Sequence, residues 1–141
     1  MSDPCETVDY AALAEFRFML RRFLAFSEAA ASQAGFTSQQ HQALLTIKGM
    51  GGDCGIAVKS LAERLFIKQH TAVELVDRLQ LNGLIQRTAD SEDRRRVLVL
   101  LTEQGELRLQ ALSKVHLDEL RTLGPALVES LALFVNARQS S

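Results

Sequence analysis

Arg94, Arg95 and Arg96 stand in a row immediately before five aliphatic residues, Val97 to Leu101. Three adjacent guanidinium groups repel one another, so the run implies a counter-charge from a third body, and their N–H forks suit the oxygens of a polyanion. A second polar set lies upstream. If Ala72, Leu75, Val76 and Leu79 form the buried stripe of a helix, its opposite side displays Gln69, His70, Val73, Glu74, Asp77 and Arg78. Gln, His and Glu offer hydrogen-bonding groups on that face, and Val73 offers an apolar contact. Lys68, just before the helix, opposes the helix dipole by roughly 0.3–1 kcal/mol, a cost that an anion at the same end reverses.

Catalytic chemistry has no comparable constellation. His41, His70 and His116 fall on three different predicted helices, and no Ser/His/Asp or Cys/His grouping follows from their spacing, so no enzyme is expected. No cluster has metal-ligand spacing, and neither a metal nor another cofactor is expected. His116 lies in an apolar seam and reads as a core histidine. The glycine-rich stretch Lys48 to Gly55 lacks the Gly-Lys-Ser/Thr of a phosphate loop. Cys5 and Cys54 are not closely spaced, which makes reduced thiols the default.

The elements that must position these groups are mostly helical. From Tyr10 to Ala34 one stripe carries Leu13, Phe16, Leu20, Phe23, Leu24, Ser27 and Ala31, and Phe18, Met19 and Phe26 lie off it. A helix with a second apolar flank usually has a second partner, here another chain. Gly35 is its stop. Thr37 to Gln40 opens the next helix as a capping box, which Gly49, Gly51, Gly52 and Gly55 end in a turn. Ser60 to Glu63 reads as another capping box, followed by a short helix and then a helix from about Gln69 to Asn82 with Gly83 as its stop. Leu84 to Thr88 and Val97 to Leu101 read as two strands of a hairpin with a charged tip. After Thr102 comes a seam of Leu109, Leu112, His116, Leu120, Leu123, Leu127, Leu131 and Phe134, which Gly124-Pro125 is expected to divide into two helices. So long a seam is more than a domain this small covers by itself.

Bulk properties agree with one globular domain and little else. The chain has 141 residues, 47% apolar and 23% charged, with a net charge of −1. From Lys59 to Arg96 eight Lys or Arg face six acids, so this stretch is +2 and the remainder −3. The positions of the charges therefore matter more than their number. Val97 to Leu101 is too short to cross a bilayer, and acids occupy the place where a signal peptide needs basic residues, so a cytoplasmic protein without membrane contact is expected.

The stretch from Lys59 to Gly105 resembles the winged helix-turn-helix core of the MarR family of bacterial transcription regulators. The resemblance is carried by Leu61-Ala62-Glu63-Arg64-Leu65, by Leu75-Val76-Asp77-Arg78-Leu79 with Gly83-Leu84, by Asp93-Arg94-Arg95-Arg96, and by Leu101-Thr102 through Gly105. It implies a mainly α fold with a small β-hairpin: an N-terminal dimerisation helix over 1–36, a winged helix-turn-helix over 37–101 and C-terminal dimerisation helices over 102–141. It further implies a homodimer that presents two winged helices to a pseudo-palindromic operator in double-stranded DNA and represses transcription.

In that frame the DNA-binding candidates are Ser60, Lys68, Gln69, His70, Thr71, Val73, Glu74, Arg78, Arg94, Arg95 and Arg96. A helix fits the major groove and reads base edges there, and a hairpin tip delivers an Arg into the narrow, negative minor groove. The family's Asp-x-Arg pattern makes Arg95 the inserted residue and Asp93 the carboxylate that shapes the wing. Arg94 and Arg96 are left for phosphates or for Asp90 and Glu92. The resemblance also implies a small aromatic or phenolic effector, for which Arg17, Arg21 and His41 are candidates, with Arg22 beside them. Two alternatives have different partners: a winged helix whose arginines meet an acidic protein, and a redox-sensing regulator using Cys5, with Tyr10 as the available tyrosine.

Overall fold

The computed structural model describes residues 7–137; Cys5, the redox candidate, lies outside them. Five helices and three short strands follow one another: α1 Tyr10–Gln33, α2 Ser38–Gly51, β1 Ile56–Ala57, α3 Val58–Leu65, α4 Gln69–Leu81, β2 Ile85–Ala89, β3 Val97–Leu101 and α5 Glu103–Ala137. The described residues form two compact units. One is α1 up to Ala29 with α5 from Val115, and the other runs from Ala30 to Lys114.

The second unit holds the hydrophobic core. Leu44, Ile47, Leu61, Val76, Leu79, Leu84, Ile85 and Val99 are all but sealed from solvent there. Its sheet is antiparallel, in the order β1-β3-β2. The expected hairpin is present, with Arg87 opposite Val99 and Ala89 opposite Val97. Sequence reasoning missed β1, which adds Ile56 opposite Val99 and Ala57 opposite Leu98; two residues are too few to show a strand period.

That short strand also corrects the expected start of α3. Pairing with β3 carries the chain, extended, as far as Ala57, which is the N-cap with φ −72° and ψ 147° and makes no side-chain cap bond. The helix then begins at Val58, two residues before Ser60, so the Ser60–Glu63 pattern lies inside α3 and caps nothing. Thr37, in contrast, caps α2 as expected: its Oγ1 accepts the Gln40 N–H and Gln40 Oε1 accepts the Thr37 N–H. The helix continues through Gly49 to Gly51, so the turn starts later than the glycines suggest.

At the other end of the unit, Thr102 links three elements. Its N–H donates to the Leu84 carbonyl at 3.0 Å, its Oγ1 donates to the Gly83 carbonyl at 2.6 Å, and that same oxygen accepts the Gly105 N–H at 3.1 Å. A Cβ on Gly105 would lie 2.0 Å from the Leu84 carbonyl oxygen, so only glycine permits this approach. Nearby, Lys48 Nζ lies 3.1 Å from Asp53 Oδ1 and 2.5 Å from Glu106 Oε1, joining the end of α2 to the first turn of α5.

α5 is a single helix from Glu103 to Ala137, with Pro125 inside it, contrary to the expected division. Proline removes one N–H from the ladder and its ring crowds the Cβ of the preceding residue. That residue is Gly124, which has no Cβ, so one of the clashes that usually end a helix before proline is missing.

In the first unit, His116 is buried and its Nε2 is 2.7 Å from Ser27 Oγ, with Phe23 and Phe26 meeting its ring edge-on. It is a core histidine, as its place in the seam suggests. Phe16 and Phe134 also pack edge-to-face. Much apolar surface on these segments is nevertheless exposed, including Phe18, Leu24, Leu131, Leu133 and Val135.

Candidate nucleic-acid interface

Within the second unit, α3 and α4 are joined by a turn in which Phe66 takes the left-handed conformation, with φ 55° and ψ 41°. This ends α3 and lets Lys68 serve as the extended N-cap of α4, without a side-chain cap bond. The inward stripe of α4 is the one its periodicity predicts: Ala72, Leu75, Val76 and Leu79 are buried. Consequently Gln69, His70, Val73, Glu74, Asp77 and Arg78 are exposed, along with Lys68, and Thr71 is half-buried.

The wing tip is shaped by two aspartates. Asp90 Oδ1 accepts the Glu92 N–H at 3.0 Å, and Asp93 Oδ1 accepts the Arg95 N–H at 3.1 Å. Backbone bonds close the loop around them, from Arg96 N–H to the Asp93 carbonyl and from Asp90 N–H to the Arg96 carbonyl, each at 2.9 Å. A carboxylate that accepts an N–H two residues on is the standard means by which Asp holds a turn. Arg94, Arg95 and Arg96 are all exposed, and among the described residues none of their side chains is in an ion pair. Asp90 and Asp93 are each turned to a backbone N–H instead of pairing with a guanidinium group.

Sequence reasoning missed two cations here. Arg87, on β2, places Nη2 2.6 Å from Asp77 Oδ1, and its Nη1 donates to Gln80 Oε1. Its partners lie ten and seven residues away across a turn, which no helical or strand spacing marks. Arg64 on α3 lines, with Ser60, Phe66 and Arg96, a groove of about 820 Å³ between α3, the turn after it and the base of the wing. Ser60, half-buried in α3, thus lines the same groove as Arg64.

The other candidates are not brought to this surface. Arg17 and Arg21 are exposed on α1 in the first unit, whereas His41 is buried on the inner side of α2 in the second, only 2% exposed. Cys54 is an exposed free thiol in the turn after α2. Among the described residues no group of His, Cys, Asp or Glu has the arrangement of a metal site, and no helix is long and apolar enough to cross a membrane.

Two short helices with a three-stranded wing and a free arginine tip narrow the comparison to winged helix-turn-helix proteins. Residues 34–96 match the family model described as MarR family. Over that stretch the chain is similar to the MarR family. Among curated relatives, the HTH-type transcriptional repressor MdtR of Bacillus subtilis (strain 168) is 32% identical over 76 residues, covering 54% of this chain and 47% of MdtR. The curated relatives are matched over between 26% and 55% of their own length. Among solved structures, the S. aureus MepR–DNA complex superposes with a TM-score of 0.69 at 22% identity, covering 95% of this chain and 96% of that one. RV1404 from Mycobacterium tuberculosis gives a TM-score of 0.75 at 22% identity, covering 96% and 98%. At such identities the structural likeness is one of fold.

Proposed function

We propose that this chain is a sequence-specific double-stranded DNA-binding regulator of transcription that acts as a homodimer on a pseudo-palindromic site, as a repressor. One observation carries the reading: the wing presents three exposed guanidinium groups without a carboxylate partner, on the same lobe as the polar outward face of α4. An α-helix enters the major groove, where Gln69 and His70 have groups for base edges and Val73 meets a thymine methyl, while Arg95 enters the minor groove and Arg94 and Arg96 meet the flanking phosphates. Lys68 and Arg78, at the two ends of the helix, add backbone contacts. The fold shared with MepR, which has been solved with DNA, and the name of MdtR, a repressor, point the same way.

The test is selection from random duplexes followed by titration in rising salt. A two-fold symmetric consensus is expected, with a salt slope that falls by close to one unit when Arg95 is replaced by Ala, since each phosphate-region contact releases about one counter-ion. Flat non-binding to every duplex would sink the proposal.

A further inference from the structure

Asp77 is an anion on the face of α4 that the proposed function turns toward phosphate. A carboxylate in that place repels a duplex, and it is not left bare. Arg87 Nη2 is 2.6 Å from Asp77 Oδ1, and Arg87 Nη1 donates to Gln80 Oε1, one helical turn further along the same face. The cation comes from outside the helix, from β2, where Arg87 stands opposite Val99. The pair is unequal in exposure: the guanidinium side chain is 30% exposed and the carboxylate side chain 60%. Glu74, the other acid on this face, is in no ion pair among the described residues.

Resting on the DNA-binding reading, we propose that Arg87 is a positioning residue that acts on duplex binding through Asp77: it cancels a carboxylate on the reading face that would otherwise push phosphate away. Charge at this range is felt through solvent but within a Debye length of the duplex, so its loss acts on all sequences alike. Arg87 is thus distinguished from a residue that touches DNA. Removing a direct phosphate contact lowers the salt slope by about one unit and cannot be repaired elsewhere, whereas removing a mask is repaired by removing what was masked.

The experiment measures affinity for the selected duplex and for a random one, with salt slopes, for wild type, Arg87→Ala, Arg87→Ala with Asp77→Asn, and Arg87→Ala with Glu103→Gln as an acid off the reading face. Arg87→Ala is expected to weaken both duplexes about tenfold, the scale of one unscreened charge near phosphate. Adding Asp77→Asn restores affinity to within about threefold of wild type, with the wild-type slope; adding Glu103→Gln does not. Melting curves for each variant show whether the lobe stays folded. Wild-type binding with a double variant as weak as Arg87→Ala, or equal rescue by Glu103→Gln, overturns this inference alone. Wild type that binds no duplex overturns it together with the proposed function.

Discussion

Phe66 shows how a single residue can carry strain without an evident return in packing. It is the one non-glycine residue with positive φ among those described, and it is 97% exposed. Its backbone is nevertheless needed there, because its N–H and that of Ile67 close the last turn of α3 onto the Ala62 and Glu63 carbonyls. A left-handed L-residue costs about 1–2 kcal/mol, and glycine is the usual occupant of such a C-terminal position. Phe66→Gly is therefore expected to stabilise the lobe by about 1 kcal/mol and raise the melting temperature by a few degrees. A lower melting temperature in a thermal scan would show that the ring packs against something.

Residue roles were legible where their determinants are local. Asp93 was legible through the family pattern, and the N–H that its carboxylate accepts is only two residues on, whereas the turn-shaping part of Asp90 was not read. The Arg87–Asp77 pair was not legible, because it depends on how β2 returns beside α4. Arg94 and Arg96 were left open to Asp90 and Glu92, but Asp90 prefers a backbone N–H, which is nearer and costs less side-chain entropy than an ion pair at the surface.

At the scale of elements, the same four-residue signature succeeded at Thr37 and failed at Ser60. The difference is what precedes it: a free turn before Thr37, and the paired strand β1 before Ser60, which starts the helix early. Proline at 125 misled for a similar reason, since its breaking strength depends on the residue before it. The Lys48 bridge is a further element-level feature. Hydrogen bonds to Glu106 and then to Asp53 hold its pKa above the ordinary 10.5. A raised lysine pKa means the folded chain holds that proton more tightly, so the contribution is complete below the unfolded value and fades as pH climbs through the folded one. The melting temperature of Lys48→Met should lie below wild type by a constant margin from pH 7 to about 10, and the margin should shrink at higher pH. A margin that closes already near neutrality would mean that Lys48 acts by packing.

For the molecule as a whole, the reading lobe buries a full core, whereas the segments 7–29 and 115–137 leave Phe18, Leu24, Leu131, Leu133 and Val135 in solvent. Exposed apolar rows of this length on two helices are what a second copy would cover. Sedimentation should give a dimer at micromolar concentration, and Leu131→Asp should shift it toward monomer while the lobe still melts as a unit. A wild-type chain that sediments as a monomer would remove the two-headed binding that the pseudo-palindromic site requires. The seam that suggests this arrangement was visible in the sequence. Its first members were misassigned, because Leu109 and Leu112 serve the core of the reading lobe.

The sheet order has a mechanical consequence. Since β3 lies between β1 and β2, the stalk beneath the tip is braced from both sides at Leu98 and Val99. Above that brace the tip is a short loop tied by the Asp90 and Asp93 carboxylates, so the cations adjust through their own side chains on a fixed backbone. One rigid scaffold thereby follows a surface whose contour varies along its length.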